Sequence, residues 1–133
     1  MHGGTAILAP PELSFDFDPS SDLTGLYAKL FASHRANACW VQVTSTVRIL
    51  VFSIYAKTSA SSNPQIFGYN DELFADIFSI CAQFGSIPII LAGDFQSPPL
   101  HYPSISNAVN FHNWFDPLTT LDDSGESLSL IHI

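Results

Sequence analysis

Asp94 is the residue of this chain best placed to do chemistry. It ends the run Ile89-Ile90-Leu91-Ala92-Gly93-Asp94 and leads into Phe95-Gln96-Ser97-Pro98-Pro99. The apolar residues after Pro88 predict a short strand buried on both faces, and Gly93 marks a point where the backbone turns or approaches another segment closely. A carboxylate at the end of such a strand is held by a rigid element yet can open to a cleft. The same residue also suits the start of a turn closed by Pro98 and Pro99, since Asp is a common turn former. Both readings stand on the residues alone.

Other reactive side chains offer less. Cys39 and Cys81 are the only cysteines, far apart, with no CxxC spacing and no histidine at zinc-site intervals. Two buried thiols are the default expectation, with a disulfide the alternative. His34, His101 and His112 show no metal-ligand spacing, His112 beside Trp114 suits packing or surface, and no Ser-His-Asp or Cys-His arrangement can be argued.

The elements that would position Asp94 follow from periodicity. Gly3-Gly4 precede a short strand from Thr5 to Ala9, stopped by Pro10-Pro11, and "ELSFDFDPSSD" reads as an acidic loop. Ala36 to Val43 and Val47 to Ala56 are rich in β-branched and aromatic residues and flank Thr44-Ser45-Thr46, a hairpin signal. Lys57 to Tyr69 has the composition of a loop. Asn70 then caps a helix in which Leu73, Ile77, Cys81 and Phe84 form an apolar stripe, Asp71 and Glu72 occupy the first turn, and Gly85 ends the pattern. After Pro99 the chain reads as loop, with "NFHNWFDPL" its aromatic island. The expected architecture is a mixed sheet covered by at least one helix.

At 133 residues and 47% apolar content the chain suits one domain with a real core. Charged residues make up only 12%, against about a quarter in a typical domain. Four basic residues (Lys29, Arg35, Arg48, Lys57) against twelve acidic ones give a formal charge of -8. That charge repels nucleic-acid backbone at long range unless a local patch or bridging cations intervene. Arg35, Arg48 and Lys57 share one stretch without forming a patch and read as ordinary surface charges. The N-terminus lacks a basic n-region and no run approaches membrane-spanning length, so the expectation is a non-secreted chain, intracellular by default, with no membrane partner.

Three segments, "GGTAIL" (Gly3 to Leu8), "LVFSIYAKT" (Leu50 to Thr58) and "IILAGDFQSPP" (Ile89 to Pro99), come in an order that resembles the endonuclease/exonuclease/phosphatase superfamily. Its members include abasic-site endonucleases, DNase I-like nucleases, inositol-phosphate phosphatases and non-LTR retrotransposon endonuclease domains. There a "GG-x-A-I" strand, an "N-x-Y-x-P" strand end, a helix and a "GDFN" strand end follow one another. The resemblance covers roughly Gly3 to Pro99. It implies an α/β fold of α+β type, a partial DNase I-like four-layer α-β-β-α sandwich with a mixed, largely antiparallel sheet. Residues 1–118 would form the partial domain and 119–133 a poorly defined tail.

By that resemblance the chemistry is Mg²⁺-dependent phosphoester hydrolysis on a nucleic acid or other phosphoester. Asp94 would orient or deprotonate water or contribute to metal binding, Tyr55 would hydrogen-bond the phosphate, and Gln96 would take the place of the family's phosphate-side Asn. Tyr55 by itself reads as a core or sheet-face aromatic. The departures are specific. Gln96 is one methylene longer than Asn, which shifts the amide. Lys57 and Thr58 replace the usual Pro and Asn. The family's metal-binding Glu lies well upstream of the "GG" segment, where only Met1 and His2 stand here, and its C-terminal "S-D-H" has no counterpart; in "SLSLIHI", His132 falls at an Asp position.

The expectation is therefore an endonuclease-like hydrolase fragment, inactive as an isolated chain, binding Mg²⁺ weakly and able to self-associate through unpaired sheet edges. The alternatives are a non-enzymatic remnant or scaffold and, less favoured, a metallophosphoesterase, whose dense metal-ligand arrays "GDFQSPP" does not supply.

Overall fold

Strand pairing in the computed structural model produces one mixed sheet covered by helices; the structure describes residues 5–8, 11, 14–16, 25–116 and 129–132. The strands are β1 (Ser14–Asp16), β2 (Ala36–Gln42), β3 (Arg48–Tyr55), β4 (Ile89–Asp94), β5 (Trp114–Phe115) and β6 (Ser129–His132), and the helices are α1 (Gly25–Ala32), α2 (Pro64–Cys81) and α3 (Pro103–Phe111). The strand order is β1-β2-β3-β4-β6-β5. Every pair is antiparallel except β3–β4, whose parallel connection requires a crossover and receives one in α2. The chain is thus mixed α/β with a largely antiparallel sheet, as expected, and of four sandwich layers the described residues contain one helical layer and one sheet.

The β2–β3 hairpin forms where expected. Side chains alternate across its strands, so each row of the sheet faces one side. Ala36, Ala38 and Trp40 of β2, Leu50, Phe52 and Ile54 of β3, and Ile89 and Leu91 of β4 face the helices. They meet Leu73, Phe74, Ile77, Ile80 and Cys81 of α2, Tyr27 and Leu30 of α1, and Ile105 and Ala108 of α3 in one core. Phe52, Phe74, Ile77 and Leu91 have no exposed surface, and burying a side chain of this size contributes about 1.5–3 kcal/mol. The α2 stripe is buried as expected, with Phe84 packed partly against it in a single 3-10 turn (Ala82–Phe84) that Gly85 ends at φ +64°.

The helix begins earlier than its stripe suggests. Asn63, not Asn70, is the cap: its side chain accepts from the backbone N–H groups of Gln65 and Ile66, and Pro64 takes the first helical position, where its missing N–H costs nothing. Asp71 and Glu72 consequently lie inside the helix. Asp71 accepts from the Ser104 N–H at 2.9 Å and anchors the start of α3, while Glu72 and Asp76 pair with Lys29 of α1 at 3.2 and 2.9 Å.

Other segments also depart from the sequence reading. Thr5–Leu8 forms no strand and Leu8 is 92% exposed; Gly3, Gly4 and Ala9 lie outside the described residues. Ser14–Asp16, within the expected acidic loop, pairs with β2. Helices α1 and α3 stand where no helix and a loop were expected. Ser129–His132, within the expected tail, inserts between β4 and β5. Cys39 and Cys81 are both free and buried, on opposite faces of the sheet.

Candidate functional site at the ends of β3 and β4

The parallel register makes Tyr55 and Asp94 direct partners on the last rung of β3 and β4. Both side chains leave the sheet on the face away from the helices, because Ile54 and Leu91 point into the core. The preceding residue, Gly93, has φ +149°, and a β-carbon there would lie 1.9 Å from the Ile54 carbonyl oxygen. The close approach expected of Gly93 is therefore between the two strands themselves, and it brings Asp94 to the edge beside Tyr55.

The row extends to a third residue. Ala36 pairs with Ile54, which places Arg35 opposite Tyr55, and the Tyr55 N–H donates to the Arg35 carbonyl at 2.8 Å. The Arg35 guanidinium stands over the Tyr55 ring, 5.4 Å from its centre. The next rung on the same face is Asn37, Ser53 and Ala92, and beyond it the face becomes apolar with Cys39, Val51 and Ile90, then Val41 and Ile49. Across β2, β3 and β4 this face is polar at the carboxyl ends of the parallel strands, where ligands bind in open α/β sheets, while Cys39 and Val41 farther along it are buried. The sequence reading took Arg35 as an ordinary surface charge and gave Asn37 no role; the alternation Arg35, Asn37, Cys39, Val41 carries the signal once the face is known.

Asp94 also opens a turn, so both readings of it hold. Its Oδ1 accepts from the Gln96 N–H at 3.0 Å and its Oδ2 accepts from the Gln96 side-chain amide. Gln96 sits at φ +60°, a conformation uncommon outside glycine. The Gln96 side-chain amide thus folds back onto Oδ2 while its backbone N–H holds Oδ1, and together they occupy one lone pair on each oxygen. An ionised carboxylate has about four such sites, so Asp94 can still accept from water.

Two buried residues that the sequence reading left without a site role hold the loops behind this edge. Asn70 accepts from the Lys57 N–H at 2.8 Å and donates to the Lys57 carbonyl at 3.0 Å and to the Tyr102 hydroxyl at 3.3 Å. Tyr102 in turn donates to the Phe95 carbonyl at 2.7 Å. The segment after β3 and the segment after β4 are joined through one helix, and Ala56 N–H to Asp94 carbonyl, 2.9 Å, ties them again. Burial pushes the Tyr102 phenol up, partly offset by the Asn70 bond. An Asn at the head of the apolar stripe Leu73, Ile77, Cys81 was the available clue.

Magnesium takes oxygen donors, commonly one or two carboxylates together with substrate phosphate. Asp94 is the carboxylate on this row, its oxygens already engaged by Gln96, and among the described residues no three His, Cys, Asp or Glu side chains gather as a metal site. These donors do not amount to a resident magnesium site. A cavity of about 560 Å³ lies elsewhere, between α2, α3 and β5, and includes Phe78, Asn107, His112 and Trp114 but neither Tyr55 nor Asp94. No helix is long and apolar enough to cross a membrane among the described residues.

No protein-family model and no curated protein matches the chain. Among solved structures it is similar to the human Nocturnin catalytic domain with bound sulfate anion, at 18% identity and a TM-score of 0.48, over 74% of this chain and 40% of that one. It is also similar to ANGEL2, a 2',3'-cyclic phosphatase, in complex with adenosine-2',3'-vanadate, at 18% identity and a TM-score of 0.39, over 96% of this chain and 37% of that one. Both are members of the endonuclease/exonuclease/phosphatase superfamily, and the likeness to each is partial. The chain spans about two fifths of the length of either.

Proposed function

We propose that this chain is the phosphoryl-facing part of a phosphoester-hydrolase domain of endonuclease type, with Tyr55 donating to a phosphate oxygen and Asp94 orienting water, and that it does not turn over substrate by itself. The observation that carries the reading is the pairing of Tyr55 and Asp94 on adjacent parallel strand ends with both side chains on one face. On strands about 4.8 Å apart, a phenol and a carboxylate that project from one rung on the same face can meet a phosphate oxygen and the water beside it.

The inactivity follows from the same geometry. Gln96 engages both oxygens of Asp94, and among the described residues no three His, Cys, Asp or Glu side chains gather to hold a cation. Losing one preorganised group from a hydrolytic site commonly costs about two to three orders of magnitude. The Gln96 clamp also favours a second reading, a scaffold whose edge meets no ligand. A metallophosphoesterase has the least support.

The test is the chain beside its Asp94→Ala variant, assayed on duplex DNA, abasic DNA and a phosphomonoester with Mg²⁺ and with EDTA. Neither protein is expected to exceed the blank. Turnover that needs both the metal and Asp94 would restore a working enzyme, and failure of the chain to bind any phosphoester would favour the scaffold.

A further inference from the structure

Resting on the reading of this edge as phosphoryl-facing, we infer that Arg35 is the specificity-determining residue of the row and selects a singly charged phosphodiester over a doubly charged phosphomonoester. The sequence holds only four basic side chains besides its histidines, and the structure accounts for each. Lys29 is paired with Glu72 and Asp76. Arg48 lies over Trp40 at the turn end of the hairpin, and Lys57 reaches the Tyr69 ring on α2, 3.6 Å from its centre. Arg35 alone shares the row with Tyr55 and Asp94.

Its guanidinium is poised rather than spent. It rests over the Tyr55 ring, and none of its five N–H donors is taken by an acceptor among the described residues. A planar fork matches two oxygens at once, which is the number of non-bridging oxygens on a phosphodiester. Charge sets the selectivity. One cation and one carboxylate make the row neutral on a chain of formal charge -8. A diester monoanion is balanced by Arg35, whereas the second charge of a monoester finds no cation and faces Asp94. Asn37 and Ser53, on the next rung, add neutral hydrogen-bonding groups but no charge.

The experiment is calorimetric titration of the full chain at about pH 7.5, where a phosphomonoester with a second pKa near 6 is a dianion. The probes are a thymidine dinucleotide with one phosphodiester and no terminal phosphate, thymidine 3'-monophosphate, and thymidine. The dinucleotide is expected to bind more tightly than the monophosphate by about fivefold or more, and thymidine not to bind. Arg35→Ala should weaken the dinucleotide by about tenfold or more, the scale of a lost charge-assisted pair, while Arg48→Ala leaves it unchanged. Asp94→Asn should close the gap between the two phosphates.

Arg35→Lys keeps the charge and loses the fork, so it should melt like the parent yet bind the diester several-fold more weakly. An unchanged diester affinity in Arg35→Lys and Arg35→Ala, or a monophosphate bound as tightly as the dinucleotide, overturns the inference. Tyr55→Phe separates the two levels. If it weakens binding and the Arg35 variants do not, only the role of Arg35 falls. If the dinucleotide does not bind at all, the phosphoryl-facing edge falls with it.

Discussion

Gly93 and Ile54 approach so closely across the parallel β3–β4 pair that any β-carbon on Gly93 would sit 1.9 Å from the Ile54 carbonyl oxygen. The obstacle is backbone on both sides, so no side-chain rotation relieves it. Gly93→Ala is therefore expected to cost about 3 kcal/mol or more, by the clash and by the φ of +149°. Gly85→Ala is the control. Its φ of +64° is equally unsuited to an L-residue, but nothing lies within 4 Å, and the cost should be about 1 kcal/mol. Denaturant melts giving equal losses at the two positions would show that the strand approach is not what Gly93 serves.

The Asn70–Tyr102 pair is expected to behave as one unit. Asn70→Ala strips partners from both polar groups of the Lys57 backbone and from Tyr102, a loss of roughly 2–4 kcal/mol, and Tyr102→Phe should cost about 1–3 kcal/mol. Because they share a bond, the double variant should lose less than the sum. Strict additivity in that cycle would mean the two loops are held separately.

Stability should fall in alkali. Burial raises the thiols of Cys81 and Cys39 and the phenol of Tyr102 above their ordinary values. In the unfolded chain thiols release their protons near pH ~8.5 and the phenol near ~10, whereas the folded chain retains them. The unfolded state then binds fewer protons, so stability decreases as pH rises. The contribution is fully present below pH ~8.5 and is lost progressively as pH climbs toward the raised folded values. Urea melts between neutrality and strong alkali measure this. Cys81→Ala should start lower, by the cavity it leaves, but decline less steeply above the thiol range. An identical decline in parent and variant would rule Cys81 out as a source.

Self-association is expected through the sheet face opposite the helices. Ile49, Val51 and Ile90 are only half-buried there, while the edge strands β1 and β5 are three and two residues long and give little length for edge pairing. The sedimentation coefficient should rise with concentration and fall back in Val51→Lys. A chain that sediments as a monomer throughout would show that this face is adequately covered.

Local chemistry made much of this legible. The β2–β3 hairpin, the stripe Leu73, Ile77, Cys81 and the strand leading to Asp94 are all readable, because alternation at period two and recurrence at three and four residues are properties of neighbours in sequence. Pro64 after Asn63 likewise carries a helix-start signal, which the more conspicuous stripe after Asn70 obscured. Helix α1, with Leu26, Tyr27 and Leu30, and helix α3, with Ile105 and Ala108, are too short for a strong period and owe their form to packing on α2 and the sheet.

By itself, then, the sequence determined which segments could be strands or helices, that the backbone turns or approaches another segment closely at Gly93, and that Asp94 ends a strand. Only the tertiary structure decided that β3 and β4 are parallel neighbours in a register that pairs Tyr55 with Asp94, that Arg35 completes their row, and that Ser129–His132 enters the sheet beyond β4. Register and strand order depend on contacts between residues far apart in sequence, whose backbone hydrogen bonds are chemically alike at every rung. What distinguishes one rung from another is which side chains the core accepts, and a one-residue slip would send Tyr55 and Asp94 to opposite faces. The core against α2, filled by Phe52, Ile54 and Leu91, holds that register and with it the composition of the candidate site.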